Sequence, residues 1–285
     1  MNKIVVGSLG LLISASFSAC AMWNINEEKH EKLNNFLRYA VVENHIDVVR
    51  DFLDEGVNVD LQDDLGGTAL MHATVNGHVD IVKMLLDAGA SADLRAADGT
   101  TALILAVVSN KKGCNVVAGM LVEAGANVDL EWKNNSTALR WAIEADYVDI
   151  IRMFLDAGAN PDQQTDDGTT ALRHATQKNN IGIVKLLIAR GAYVNAQDDR
   201  GNTAFMDVVR RGSKKDVLLF IDKFGADSTV KNNSGKTALM CARENGHEEV
   251  GRILEYAQSK DNNKNDESSD NNEEEKSDKK GAHNE

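Results

Sequence analysis

The sequence lacks the short motifs that mark the common enzyme chemistries. It has no glycine-rich phosphate loop, no H-E-x-x-H metal-binding helix and no C-x-x-C pair. It is also poor in positive charge, since 31 Lys and Arg residues face 44 Asp and Glu, a formal net charge of −13. Non-specific nucleic-acid binding needs a basic surface. The missing motifs therefore argue against an enzyme and indicate no cofactor, no metal and no small-molecule substrate. The charge balance argues against a nucleic-acid partner.

Aromatic residues are scarce as well, at 5%, although the hydrophobic content of 42% is ordinary for a folded chain. This combination suits pairs of helices packed through alanine and leucine. Such pairs are what the middle of the sequence predicts.

One stretch, residues 63–93, reads DDLGGTALMHATVNGHVDIVKMLLDAGASAD. Asp63 begins a turn, and Thr68 is placed to cap a short helix that ends at Gly77. A second helix carries an apolar stripe at helical spacing and ends at Gly89. The unit is a turn, a helix, a turn and a second helix, and it buries its apolar faces only if copies stack beside it.

The copies are visible as a recurring threonine followed by alanine and then leucine or phenylalanine. Successive threonines lie 33, 36, 33, 33 and 34 residues apart. They are Thr68, Thr101, Thr137, Thr170, Thr203 and Thr237. A glycine follows near the end of each second helix, and a degenerate copy precedes the series, because Gly56 lies 33 residues before Gly89.

This pattern resembles the ankyrin repeat family, whose signature is a period of about 33 residues with T-P-L-H-x-A opening the first helix. The resemblance covers residues 33–256. It implies an all-α solenoid of stacked helix-turn-helix units with short hairpin-like turns. The predicted ankyrin repeat domain spans 33–258, with repeats at 33–62, 63–95, 96–131, 132–164, 165–197, 198–231 and 232–258.

The departures from the family pattern are systematic. Alanine replaces the proline in every copy, and the family's histidine is replaced by Met, Ile or Arg. Ala suits the first turn of a helix. The missing histidine removes a polar link between neighbouring repeats, so we expect lower stability than in a consensus array.

The N-terminal segment 1–21 predicts a secretory signal peptide, with Lys3, an apolar run and the A-x-A pattern of Ala19 and Ala21. The run is too short to favour a permanent membrane span. Two alternatives remain open. Residues 17–20 resemble a bacterial lipobox, in which Cys20 would be lipidated and anchor the protein to a membrane, and the segment could instead be a helix packed on the array.

Two flanking segments are polar. Residues 22–32 are predicted as a short linker or an extra helical turn, and 259–285 as a disordered acidic and polar tail with no large apolar residue. Two turns between helices carry insertions, three residues within 109–114 and one within 210–215. Inserted turns often lie on a binding face, and neutral drift is the alternative.

Histidine and cysteine give no chemical site. His72 and His174 occupy one repeat position three repeats apart, so a single site cannot hold both. Cys114 and Cys241 lie four repeats apart, too far for a disulfide. We therefore expect disulfides to play no part in holding the fold.

By the same resemblance, partners meet the turn tips and the exposed ends of the first helices. Binding surfaces are enriched in Trp, Tyr and Arg, which singles out Trp132 and the basic cluster beginning at Arg210. In an acidic protein that cluster would attract an acidic partner. The predicted partner-binding residues are Leu65, Trp132, Lys133, Gln177, Lys178, Arg200, Arg210, Arg211, Lys214 and Lys215.

Each of these predictions has an alternative. Trp132 could pack on the neighbouring turn, and the basic cluster could be a solvated surface, since isolated surface charges contribute little. Trp141, on a first helix, is expected to be partly buried between repeats.

The sequence as a whole predicts a non-enzymatic, monomeric scaffold that binds a protein partner and is exported to the periplasm or secreted. The alternative is a membrane-anchored lipoprotein with a structural role in the cell envelope.

Overall fold

The computed structural model describes residues 27–109 and 111–260. The predicted signal peptide, Cys20 and residues 261–285 lie outside this range. The described chain is helical, with one single-turn 3-10 helix at Lys133–Asn135. Its helices are α1 Glu27–Val42, α2 Ile46–Asp54, α3 Ala69–Asn76, α4 Val79–Asp87, α5 Ala102–Val108, α6 Cys114–Glu123, α7 Ala138–Glu144, α8 Val148–Asp156, α9 Ala171–Gln177, α10 Ile181–Ala189, α11 Ala204–Arg211, α12 Lys214–Asp222, α13 Ala238–Glu244 and α14, 248–260.

The helices form two compact units, one ending at Ala159 and the other beginning at Asn160. In unit 1, α1, α3, α5 and α7 pack in a row, and α2, α4, α6 and α8 form a second row beside them. In unit 2, α9, α11 and α13 form the corresponding row of first helices. The all-α, stacked helix-turn-helix class is therefore confirmed.

The predicted threonines begin equivalent helices. Each precedes a first helix in an extended conformation, and five of the six accept a hydrogen bond from the backbone N–H three residues later. Thr137 occupies the same position before α7 without this bond. The cap is thus the local reason why each first helix starts where it does.

A hairpin-like turn precedes each of these threonines, closed by a bond from the N–H of its first residue to the carbonyl four residues later. We call these turns hairpin 2 (63–67), hairpin 3 (96–100), hairpin 4 (132–136), hairpin 5 (165–169), hairpin 6 (198–202) and hairpin 7 (232–236). Gly66 in hairpin 2 has φ 75°, and a Cβ there would lie 2.7 Å from the backbone nitrogen of Ala97. Hairpin 4 has no glycine, and Asn134 and Asn135 take the left-handed conformation instead.

Backbone bonds join the tips of neighbouring hairpins. The Ala97 N–H donates to the carbonyl of Leu65 at 2.8 Å in unit 1, and the Asn233 N–H donates to that of Arg200 at 3.0 Å in unit 2. Polar side chains that follow the second helices form further bonds between neighbouring repeats. Asp60, for example, accepts a hydrogen bond from the Ser91 N–H at 2.8 Å. Equivalent bonds join Asp93 to Asn127, Asp162 to Tyr193 and Asn195 to Asp227.

Several element boundaries differ from those predicted. α1 begins at Glu27, so it extends into the predicted linker, and α14 continues two residues into the predicted tail. The three-residue insertion lies between α5 and α6, as expected. The prediction that the single-residue insertion lies within 210–215 was wrong. α12 begins at the same distance from Thr203 as α4 does from Thr68, and the extra residue follows α12. Phe224 lies in that added stretch and packs edge-on against Phe220 at 5.2 Å.

Candidate protein-interaction surface

A groove of about 420 Å³ runs between hairpins 2 and 3 in unit 1. Leu65 lies at one tip and is 75% exposed. The groove is also lined by Met71, Val75 and Leu105 from the first helices α3 and α5. We call this feature, with His72 and the adjoining hairpin residues, the hairpin groove. An exposed leucine beside a largely apolar groove is typical of a surface that binds another molecule.

Carboxylates lie on the rim of the hairpin groove. Asp63 accepts hydrogen bonds from the backbone N–H groups of Leu65 and Gly67, and it pairs with the His72 ring at 2.8 Å. Burial raises the pKa of Asp63, but these hydrogen bonds outweigh it and hold the pKa below its usual value. Asp98 on hairpin 3 has a pKa lowered by hydrogen bonds from the hydroxyl and N–H of Thr100. Both groups are therefore anionic at neutral pH.

The exposed end of the first helix differs between the first three repeats and the later ones. In unit 1 the position holds valine on three successive helices, with Val42 and Val108 41% and 37% exposed and Val75 in the hairpin groove. The equivalent positions further along are polar. They are Glu144 in unit 1 and Gln177, Arg210 and Glu244 in unit 2.

Trp132 opens hairpin 4 and is half-buried. Its ring lies 5.3 Å from that of Trp141, which is also half-buried as predicted, and it contacts hairpin 3 beside Gly99. The Lys133 ammonium lies 4.3 Å from the Trp132 ring centre and 4.0 Å from Asp98. The packing alternative for Trp132 therefore holds, although part of its ring and the exposed Lys133 remain accessible.

The predicted basic cluster in unit 2 is largely engaged within the chain. Arg210 donates to Asp207 at 2.9 Å and to Asn202 at 2.7 Å, and it is partly buried. Arg211 donates to Asn179, and Lys214 forms an ion pair with Glu249. Lys215 and Arg200 are exposed. Of the other predicted residues, Gln177 is exposed but donates to Asp207 at 3.3 Å, and Lys178 is half-buried.

A buried charged group in unit 2, Arg173, was not among the predicted site residues. Arg173 lies on α9 with its side chain 11% exposed, and it binds both Asp198 of hairpin 6 and Asp207 of α11, the latter at 2.9 Å. Arg173 occupies the position of the family's histidine. The expectation that polar links between repeats are lost was therefore wrong at this position, where a buried ion-pair network, the Arg173 network, replaces the histidine. Arginine occurs at this position in two repeats, as Arg140 and Arg173, and that departure from Met or Ile was the available signal.

Other chemistry is sparse. In the described part of the chain, no cluster of three His, Cys, Asp or Glu side chains is placed to hold a metal ion. The described helices include none long and apolar enough to span a bilayer. Cys241 is buried and unpaired, and His174 is buried.

Comparison with known protein families gives a match to the family described as "Ankyrin repeats (3 copies)", over residues 37–131, 112–198 and 193–266. The comparison with curated proteins returned no match.

Solved structures give the same fold. The ankyrin repeat domain of Bcl-3, an IkappaB family member, is 28% identical, with a TM-score of 0.66 over 76% of this chain and 97% of that domain. An ankyrin repeat domain from Acinetobacter baumannii AYE is 30% identical, with a TM-score of 0.61 over 66% of this chain and 97% of that one. The human ASB11 domain is 24% identical, with a TM-score of 0.59 over 76% of this chain and 96% of that domain, and shares the fold.

Domains of this kind typically bind protein partners and are generally non-enzymatic, and no catalytic family matches the sequence. The matched segments together cover most of the chain, and the capped helix pairs and hairpins have the architecture that those segments predict. The chain belongs to the ankyrin repeat family.

Proposed function

We propose that the protein is an exported, non-enzymatic scaffold that binds a protein partner through its hairpin tips and the ends of its first helices. The observation that carries this proposal is Leu65, three-quarters exposed at a hairpin tip next to the hairpin groove. A large apolar side chain held in water by a rigid turn gains most when a partner covers it.

The test is affinity capture with the purified chain, using two variants that each replace an exposed apolar residue by aspartate. Leu65→Asp changes a hairpin tip, whereas Val116→Asp changes a position on the second helix α6 that is 52% exposed. We expect the first to lose the retained partner and the second to keep it, with unchanged thermal unfolding for both. Equal yields from Leu65→Asp and the unmodified chain would contradict the proposed surface at this tip.

Localisation is a separate part of the proposal. The three-part N-terminal segment supports cleavage after Ala21, and residues 17–20 favour a lipidated Cys20 as the alternative. Mass spectrometry of the mature N-terminus distinguishes the two. A free Met22 supports soluble export, and an acylated Cys20 supports a tethered envelope protein.

A further inference from the structure

We propose that the hairpin groove binds a segment of a partner protein in which an apolar side chain is flanked by lysine or arginine. This inference rests on the proposed scaffold function and names the chemistry of the partner. It differs from the acidic partner that the basic cluster suggested.

The apolar part of the recognition follows from the side chains that line the hairpin groove. Leu65, Val75 and Leu105 come from a hairpin tip and two successive first helices, so they meet along one channel. Val42 and Val108 hold the same position as Val75 on the neighbouring first helices and are both exposed. A leucine-sized side chain from a partner would remove this apolar surface from water, at about 25 cal/mol per Å².

The charged part follows from the rim. Asp63 and Asp98 line the hairpin groove, and Asp64 is exposed at the tip of hairpin 2. Two cationic groups face them, since His72 pairs with Asp63 and Lys133 lies 4.0 Å from Asp98. His72 adds charge only when protonated, and Lys133 offsets one of the three carboxylates. The remaining negative potential favours lysine or arginine on either side of the apolar anchor.

The competing basic surface is weaker by the same reasoning. In unit 2, Arg210 and Lys214 already bind Asp207 and Glu249 within the chain. An acidic partner would have to replace these ion pairs, whereas a cationic segment at the hairpin groove meets carboxylates that are only partly neutralised. Charge complementarity therefore favours a basic, apolar segment in unit 1.

The experiment measures fluorescence polarisation of three labelled peptides of equal length with the full chain. The first alternates lysine and leucine, the second lysine and serine, and the third glutamate and leucine. We expect binding of the lysine–leucine peptide, weakened by added salt because surface electrostatics are screened. Equal affinity for the lysine–serine peptide, or tighter binding of the glutamate–leucine peptide, would overturn the inference.

Variants locate the binding. Val75→Lys removes an apolar contact and adds a charge of the same sign as the peptide, so it is expected to weaken binding of the lysine–leucine peptide about tenfold or more, as loss of a central contact does. Gln177→Lys changes the equivalent position in unit 2 and is expected to leave the affinity unchanged. Unaltered affinity in Val75→Lys, with circular dichroism as in the unmodified chain, would refute the hairpin groove as the site.

The two proposals fail in different ways. If the chain captures a protein through Leu65 but ignores the lysine–leucine peptide, the scaffold function stands and the inference of a basic, apolar partner segment is wrong. If Leu65→Asp leaves capture unchanged while the peptide binds and Val75→Lys abolishes its binding, the partner contacts lie elsewhere on the hairpin groove.

Discussion

The two units build the same helix pairs with different side chains at equivalent positions. Repeats 2 and 3 in unit 1 have Met71 and Ile104 where repeat 5 in unit 2 has Arg173, and repeat 3 has Leu105 where repeat 6 has Asp207. The helix caps and the bonds between hairpins are common to both units. The same caps and hairpin bonds therefore accompany a first-helix face that is apolar in repeats 2 and 3 and ionic in repeats 5 and 6.

Apolar packing and the Arg173 network differ in how much stability a substitution removes. Apolar side chains in unit 1 contribute through the surface they remove from water, so a substitution costs roughly in proportion to its size. The Arg173 network contributes only while all its members are present, because each buried charge needs its partners to offset desolvation. A single substitution in the Arg173 network should therefore cost more than a similar one among the apolar side chains of repeats 2 and 3.

The largest expected effect is that of Arg173→Met, which gives repeat 5 the residue type that Met71 has at the same position of repeat 2. It leaves Asp198 and Asp207 buried without their shared cation, and we expect a loss of about 3–5 kcal/mol in unfolding free energy. All three tryptophans precede residue 160, so circular dichroism in urea should register this loss more strongly than tryptophan fluorescence.

Two further variants sharpen this result. Arg140→Met alters the equivalent residue of unit 1, whose side chain is more exposed and lies 4.0 Å from Glu144, and should cost under about 1 kcal/mol. Adding Asp198→Asn and Asp207→Leu to Arg173→Met removes the stranded charges and should restore most of the loss. Equal costs at Arg173 and Arg140 would contradict the contrast between the units.

A smaller effect is expected from the helix caps of unit 1. Thr101 accepts from the Ile104 N–H at 3.3 Å, whereas Thr137 makes no such bond. Thr101→Ala should therefore cost about 1 kcal/mol and Thr137→Ala distinctly less. Urea unfolding followed by tryptophan fluorescence measures both within the same unit, and a greater cost at Thr137 would show that the cap bond does not determine stability there.

The smallest expected effect is the loss of stability at acid pH when Asp63 is protonated. Because the pKa of Asp63 is lowered in the folded chain, its ionised form stabilises the fold above about pH 4, and this stabilisation is lost as the pH falls through the lowered pKa. Asp63→Asn keeps the turn, since Asn232 accepts the same backbone bonds in hairpin 7.

We expect Asp63→Asn to be less stable by under about 1 kcal/mol at neutral pH, because the pair with His72 is partly exposed. The difference should disappear in strong acid. Urea midpoints measured across this pH range provide the check, and a constant gap between the two proteins would count against the ionised pair.

The sequence predicted the helix starts because a threonine cap acts within four residues of the chain, and it predicted the turns because glycine marks them. It did not predict the Arg173 network, whose partners lie 25 and 34 residues away and are recognisable only once the repeats are stacked. Arg210 was assigned to a partner because its bond to Asn202 of hairpin 6 depends on the fold, although Asp207, three residues earlier on α11, was visible in the sequence. The period revealed one extra residue in repeat 6 but not that it follows α12.

The backbone bonds between hairpin tips have a consequence for how the protein could acquire new targets. Main-chain atoms set the distance from one tip to the next, as between Leu65 and Ala97 or Arg200 and Asn233. The outward side chains of Leu65 and Arg200 take no part in these backbone bonds. Replacing them would therefore change what each tip recognises and leave the spacing of the hairpins unchanged. A library randomised at these two codons would separate recognition from architecture in a single molecule.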